Sequence, residues 1–159
     1  MDRKLRMGMV GGGQGAFIGA VHRMAARLDD KIELVCGAFS SDPQRSWETG
    51  VDLYLNTDRV YGSWKEMIEK ESALPDDEKM DLVSIVTPNH LHAAPALMAM
   101  DHGFPVIMDK PLCYDMEEAK ALQSKIGSTG LPFALTHTYT GYPMVKEARQ
   151  QVRSGAIGT

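Results

Sequence analysis

Val10-Gly11-Gly12-Gly13-Gln14-Gly15-Ala16 is the stretch on which the reading of this chain turns. An apolar run over residues 5–10 leads into it. Phe17–Arg27 leads out, with Ile18, Val21, Met24, Ala25 and Leu28 at helical spacing. Gly11, Gly13 and Ala16 fit the pattern G-x-G-x-x-G/A, with Gly12 and Gly15 as further small members. Gly11 permits a tight turn, Gly13 lets the backbone come close to a phosphate, and Ala16 lets helix pack on strand. The helix start offers free N–H groups and a partial positive charge to an anion. Between a strand and an amphipathic helix, such a loop points to the pyrophosphate of a dinucleotide, with an unliganded glycine turn as the alternative. The spacing G-x-x-x-x-G-K-[ST] is missing, which disfavours an ATP-type phosphate loop.

Further strands are expected at Ile32–Ala38 and at residues 59–61, 82–87, 105–108 and 133–138. Helices are expected between them. Asp42-Pro43 opens one, as cap and first helical residue. Ser63 with Glu66 and Asp115 with Glu118 read as capping boxes, the latter helix reaching Ile126. A helix over about 92–102 stops at Gly103, and Pro143–Arg153 forms the last. Strands alternating with helices imply an α/β fold, a Rossmann-type doubly wound parallel sheet covered on both faces. Ligands of such sheets bind beyond the carboxyl ends of the strands.

The residues of chemical interest fall at those ends. An NAD site usually closes its second strand with an acid. Here Asp29 and Asp30 precede that strand, and its far end carries Phe39, Ser40 and Ser41. Ser40, Ser41 and Arg45 are candidates for a 2′-phosphate, Asp42 is as well explained as a helix cap, and the cofactor stays open between NAD and NADP. Thr87-Pro88-Asn89-His90-Leu91-His92 follows the strand at 82–87. Thr87 and Asn89 are candidates for the ribose or nicotinamide side, and His92 for an anchor or a catalytic group. Asp109-Lys110-Pro111 follows the strand at 105–108. Proline keeps Lys110 out of the helical region, and Asp109 is placed to fix the lysine. An ammonium there donates to a substrate oxygen whose charge changes during hydride transfer.

The 159 residues suit one domain able to bury a core. A net charge of -4 argues against nucleic acid as a partner. No apolar run approaches a membrane span. Two cysteines, Cys36 and Cys113, form neither a disulfide framework nor a metal set, so the expected setting is a reducing cytoplasm.

The glycine loop, the TPNHLH segment and DKP, in this order, resemble the Gfo/Idh/MocA oxidoreductases, the glucose–fructose oxidoreductase and inositol dehydrogenase family. The resemblance extends through Gly130 to Phe133, the Tyr142-Pro143 helix start and Gly155-Ala156-Ile157-Gly158. It implies an NAD(P)-dependent dehydrogenase acting on a hydroxyl of a sugar, cyclitol or polyol. By resemblance Lys110 takes the role of the active-site lysine. Thr87, Pro88 and Asn89 line the cofactor, His92 is the motif histidine, and Asp109 and Pro111 flank the lysine, with Asp109 in place of the usual Glu. The family continues into a second α/β domain that carries an aspartate and a general-acid/base histidine. Residues 1–159 are accordingly expected to be the NAD(P)-binding domain, with about 139–159 leading toward that second domain, which is absent from this chain. The piece is expected to bind dinucleotide with little turnover, and exposed apolar surface makes a homo-oligomer an expectation. A non-catalytic dinucleotide-binding module or sensor is the alternative.

Overall fold

The computed structural model describes residues 3–158. Met1, Asp2 and Thr159, which belong to the expected domain and its junction with a second one, lie outside the described residues. Five strands form one parallel sheet: β1 (Leu5–Gly11), β2 (Ile32–Ala38), β3 (Leu82–Val86), β4 (Val106–Met108) and β5 (Phe133–Leu135), in the order β2-β1-β3-β4-β5. Met7 pairs with Leu82 and Gly11 with Val86, so β1 and β3 end level with each other. The order reverses between β1 and β3. That is where such sheets open a crevice at their carboxyl ends.

Five α-helices connect the strands and a sixth follows β5: α1 (Phe17–Arg27), α2 (Pro43–Asp52), α3 (Trp64–Ser72), α4 (Ala93–Asp101), α5 (Met116–Thr129) and α6 (Pro143–Arg153). Their starts follow local chemistry. Asp42 accepts from the N–H groups of Gln44 and Arg45 and so caps α2, with Pro43 at the first helical position. Ser63 and Asp115 accept from the N–H groups of Glu66 and Glu118. The return bond of each expected capping box is shifted by one residue: Glu66 accepts from Gly62 N–H and Glu118 from Tyr114 N–H. α3, α4 and α5 cover one face over a core that includes Met67, Ile68, Val83, Ile85, Ala96 and Leu122. α1 covers part of the other, over Met7, Met9, Leu82 and Val86. Among the described residues no helix is long and apolar enough to cross a membrane.

Three expectations are corrected. Residues 59–61 form no strand. Thr57–Arg59 is a single 3-10 turn, capped by Asn56. Only Val60 bridges Gly37, before Gly62 and the Ser63 cap divert the chain. With turns on both sides there is no length left for a ladder. Second, the expected apolar face of α1, Ile18 apart, points outward: Met24 is 67% and Leu28 82% exposed, and Val21 and Ala25 are exposed as well. The inward stripe is Gly19, with Ile18, His22, Arg23 and Ala26 half-buried. A Cβ on Gly12 would lie 2.8 Å from Gly19 Cα, and one on Gly19 would overlap Gly12. This backbone approach fixes the rotation of the helix, and apolar periodicity does not. Third, the α1 face of the sheet is not covered throughout. Ala134 is exposed, Ile107 is half-buried, and α6 is exposed along its length.

Candidate functional site

A crevice of about 550 Å³ opens at the carboxyl ends of β1, β2 and β3. That is within the usual range for small-molecule sites. Gly11, Gly12, Gly13 and Ala16 form one side of it. The loop is tied down from three directions. Gly13 N–H donates to Phe39 O at 3.2 Å, Gln14 N–H to Thr49 Oγ1 at 3.3 Å, and Arg23 Nη1 to Gly12 O at 2.9 Å. Gly12 has a φ of 74°, in the left-handed region. Gly13 has a second reason to be glycine: a Cβ there would stand 2.8 Å from Phe39 O, so this residue also admits the end of β2. The packing role expected of Ala16 falls to Gly19. Ala16 is exposed and caps α1 without a side-chain oxygen, so the first-turn N–H groups stay open to an anion. Gly15 lies outside the lining, with nothing within 4 Å of a Cβ placed on it.

Ser40, Ser41 and Arg45 line the end of the crevice by β2. Ser40 Oγ accepts from Asp42 N–H at 3.1 Å. The Asp42 carboxylate is spent on the cap of α2. Arg45 donates no side-chain hydrogen bond and forms no ion pair among the described residues. Phe39, at the strand end where the sequence places it, completes this wall with Thr49 and the run Gly62-Ser63-Trp64, and sequence reasoning missed the last four. The signal was available: Gly62 to Trp64 follow Val60, the one bridged residue beside β2, as Ser40 follows β2 itself.

Thr87 and Pro88 line the third side, with Leu91. Thr87 Oγ1 donates to Leu91 O at 3.0 Å, and Asn89 Oδ1 accepts from His90 N–H at 2.9 Å. Asn89 thus shapes the turn and lies outside the lining, as do His92, Asp109, Lys110 and Pro111. His92 is 1% exposed. Its Nδ1 is 2.8 Å from Pro111 O and its Nε2 2.7 Å from Thr87 O. This one ring joins the crevice wall to the residue after Lys110.

Asp109 does not hold Lys110 through its side chain, as had been expected. Its Oδ1 accepts from Thr136 Oγ1 at 2.8 Å and faces His22 Nε2 at 3.6 Å, on the α1 side of the sheet. His22 Nδ1 meets Ser84 Oγ at 3.0 Å. Burial pushes the His22 imidazole below its ordinary value, with Asp109 opposing the shift. Lys110 is exposed and has no hydrogen-bond or ion-pair partner among the described residues. The Lys110-Pro111 peptide is cis. Among the described residues no cluster of three or more His, Cys, Asp or Glu side chains suits a metal ion.

The donor set fits a dinucleotide: a glycine cradle, a helix start with free N–H groups, and, at the end by β2, an arginine without a side-chain partner among the described residues. Comparison with known proteins agrees. A family model described as an oxidoreductase family with an NAD-binding Rossmann fold matches residues 5–150. Levoglucosan dehydrogenase of Pseudarthrobacter phenanthrenivorans is 30% identical over 158 residues, which are 98% of this chain and 39% of that protein. An oxidoreductase from Sinorhizobium meliloti is 47% identical in its crystal structure, with a TM-score of 0.87 over 99% of this chain and 43% of that one. An inositol dehydrogenase homolog from Azotobacter vinelandii, complexed with NAD+, is 35% identical with a TM-score of 0.91, over 99% of this chain and 40% of that one. The same homolog is also known with NADH and myo-inositol. The chain spans about two fifths of the length of the relatives it matches.

Proposed function

This chain belongs to the Gfo/Idh/MocA oxidoreductase family, as an NAD-binding Rossmann domain, and on that premise we propose that it is the cofactor half of a dehydrogenase acting on a secondary hydroxyl of a sugar, cyclitol or related polyol. The observation that carries the reading is the joint between the two halves of the site. The crevice that suits the dinucleotide is bonded through His92 to the turn bearing an unpaired lysine. The myo-inositol complex of the Azotobacter homolog and the levoglucosan dehydrogenase support the substrate class.

Each group has a task on this reading. The glycine loop and the first turn of α1 hold the pyrophosphate, with Arg23 fixing the Gly12 carbonyl from behind. Ser40, Ser41 and Arg45 face the adenosine ribose. Thr87 and Pro88 bound the nicotinamide side. When bound, the nicotinamide supplies the hydride acceptor or donor. Lys110 donates a hydrogen bond to the substrate oxygen and stabilises the charge that builds there. Cofactor binding is assigned to these 159 residues. The proton-accepting base is assigned to the further length that the relatives possess.

Lys110→Met in a protein of that full length tests the proposal. With NAD and a polyol panel, kcat is expected to fall about a hundredfold or more, while NADH affinity by nicotinamide fluorescence stays unchanged. Undiminished turnover in the variant would remove Lys110 from the chemistry.

A further inference from the structure

His92 is buried at the start of α4, and both its ring nitrogens face carbonyl oxygens: Pro111 O at 2.8 Å and Thr87 O at 2.7 Å. Turning the ring over would put carbon atoms against both oxygens. We infer that His92, bridging these two carbonyls, is the positioning residue for Lys110.

The rest of the turn supports this role. Asp109, just before Lys110, is anchored twice: its N–H donates to Ile85 O at 3.0 Å within the sheet, and its carboxylate accepts from Thr136 on the α1 side. His22 is the charged or titratable group that faces Asp109 there. Pro111, just after Lys110, has no N–H to give and among the described residues is hydrogen-bonded through its carbonyl alone. Lys110 therefore stands between two fixed neighbours, and its direction depends on both. If His92 let go, the Pro111 side would lose its link to the Thr87 turn, which lines the cofactor crevice. Lys110 would then be held from one side alone.

The inference rests on Lys110 being the active-site lysine, but its test needs neither turnover nor cofactor. His92→Asn, which cannot span both carbonyls, reads the positioning in the 15N-labelled chain. The backbone order parameter of Lys110 is expected to fall from the rigid range, about 0.85, toward about 0.6, while Leu122 in the core keeps its value. A rigid Lys110 in the folded variant would refute positioning. Failure of the chain to bind NADH would instead sink the proposed function and leave the positioning result standing.

Discussion

Replacing Gly13 by alanine isolates one contact. The backbone of Gly13 is outside the left-handed region, so alanine meets no conformational penalty there. The added methyl would lie 2.8 Å from Phe39 O and 3.1 Å from Thr49 Oγ1. Comfortable carbon–oxygen contacts begin near about 3.3 Å, so the loop must retreat by roughly half an ångström. Phe39 O cannot swing aside, because it belongs to the backbone at the end of β2. The retreat strains two bonds already long, Gly13 N–H to Phe39 O at 3.2 Å and Gln14 N–H to Thr49 Oγ1 at 3.3 Å. Overpacking of this kind costs about 1–3 kcal/mol. For a chain of this size, about 2 kcal/mol lowers Tm by roughly 4–8 °C. The same displacement moves the anion-facing N–H groups, so NADH affinity should fall about tenfold, which is about 1.4 kcal/mol. Calorimetry and nicotinamide fluorescence read the two effects. Wild-type Tm and wild-type affinity together would show that the loop does not rest against β2 as described.

Other perturbations probe the supports. Arg23→Ala frees the Gly12 carbonyl and should weaken NADH binding several-fold at a stability cost of about 1 kcal/mol, measurable by isothermal titration. Glu71 is fully buried and accepts from Arg59, Tyr61 Oη and Met80 N–H. Glu71→Ala strands those donors and should cost about 3–5 kcal/mol, and a variant melting with the wild type would contradict it. Burial lowers the folded-state value of His22 below its ordinary 6.5. The unfolded chain then binds more protons as pH falls through that range. The His22 contribution is complete above about 6.5 and is lost on acidification toward the folded value. His22→Gln should flatten the dependence of Tm on pH between about 5 and 8, and parallel curves would refute it.

Much of this was legible in local sequence. Asp42, Ser63 and Asp115 announce their helices because a side-chain oxygen beside free N–H groups is a short-range device. The bounds of α1 and α6 are also visible in the sequence. What escaped depends on contacts distant in the chain. Gly12 and Gly19 press two backbones together, and that contact turns Val21, Met24 and Leu28 outward against their periodicity. The partners of Asp109 lie 27 and 87 residues away, at Thr136 and His22, so the adjacent lysine was the natural but mistaken choice. His92 stood out in the sequence as a motif residue. Its link between Thr87 and Pro111 needed coordinates.

Titration of the folded chain with NADH, followed by nicotinamide fluorescence, tests the central claim most directly. The glycine cradle and the open start of α1 predict saturable one-to-one binding that Gly13→Ala weakens. A chain folded by circular dichroism that gives no saturable change with NADH or NADPH would contradict the account.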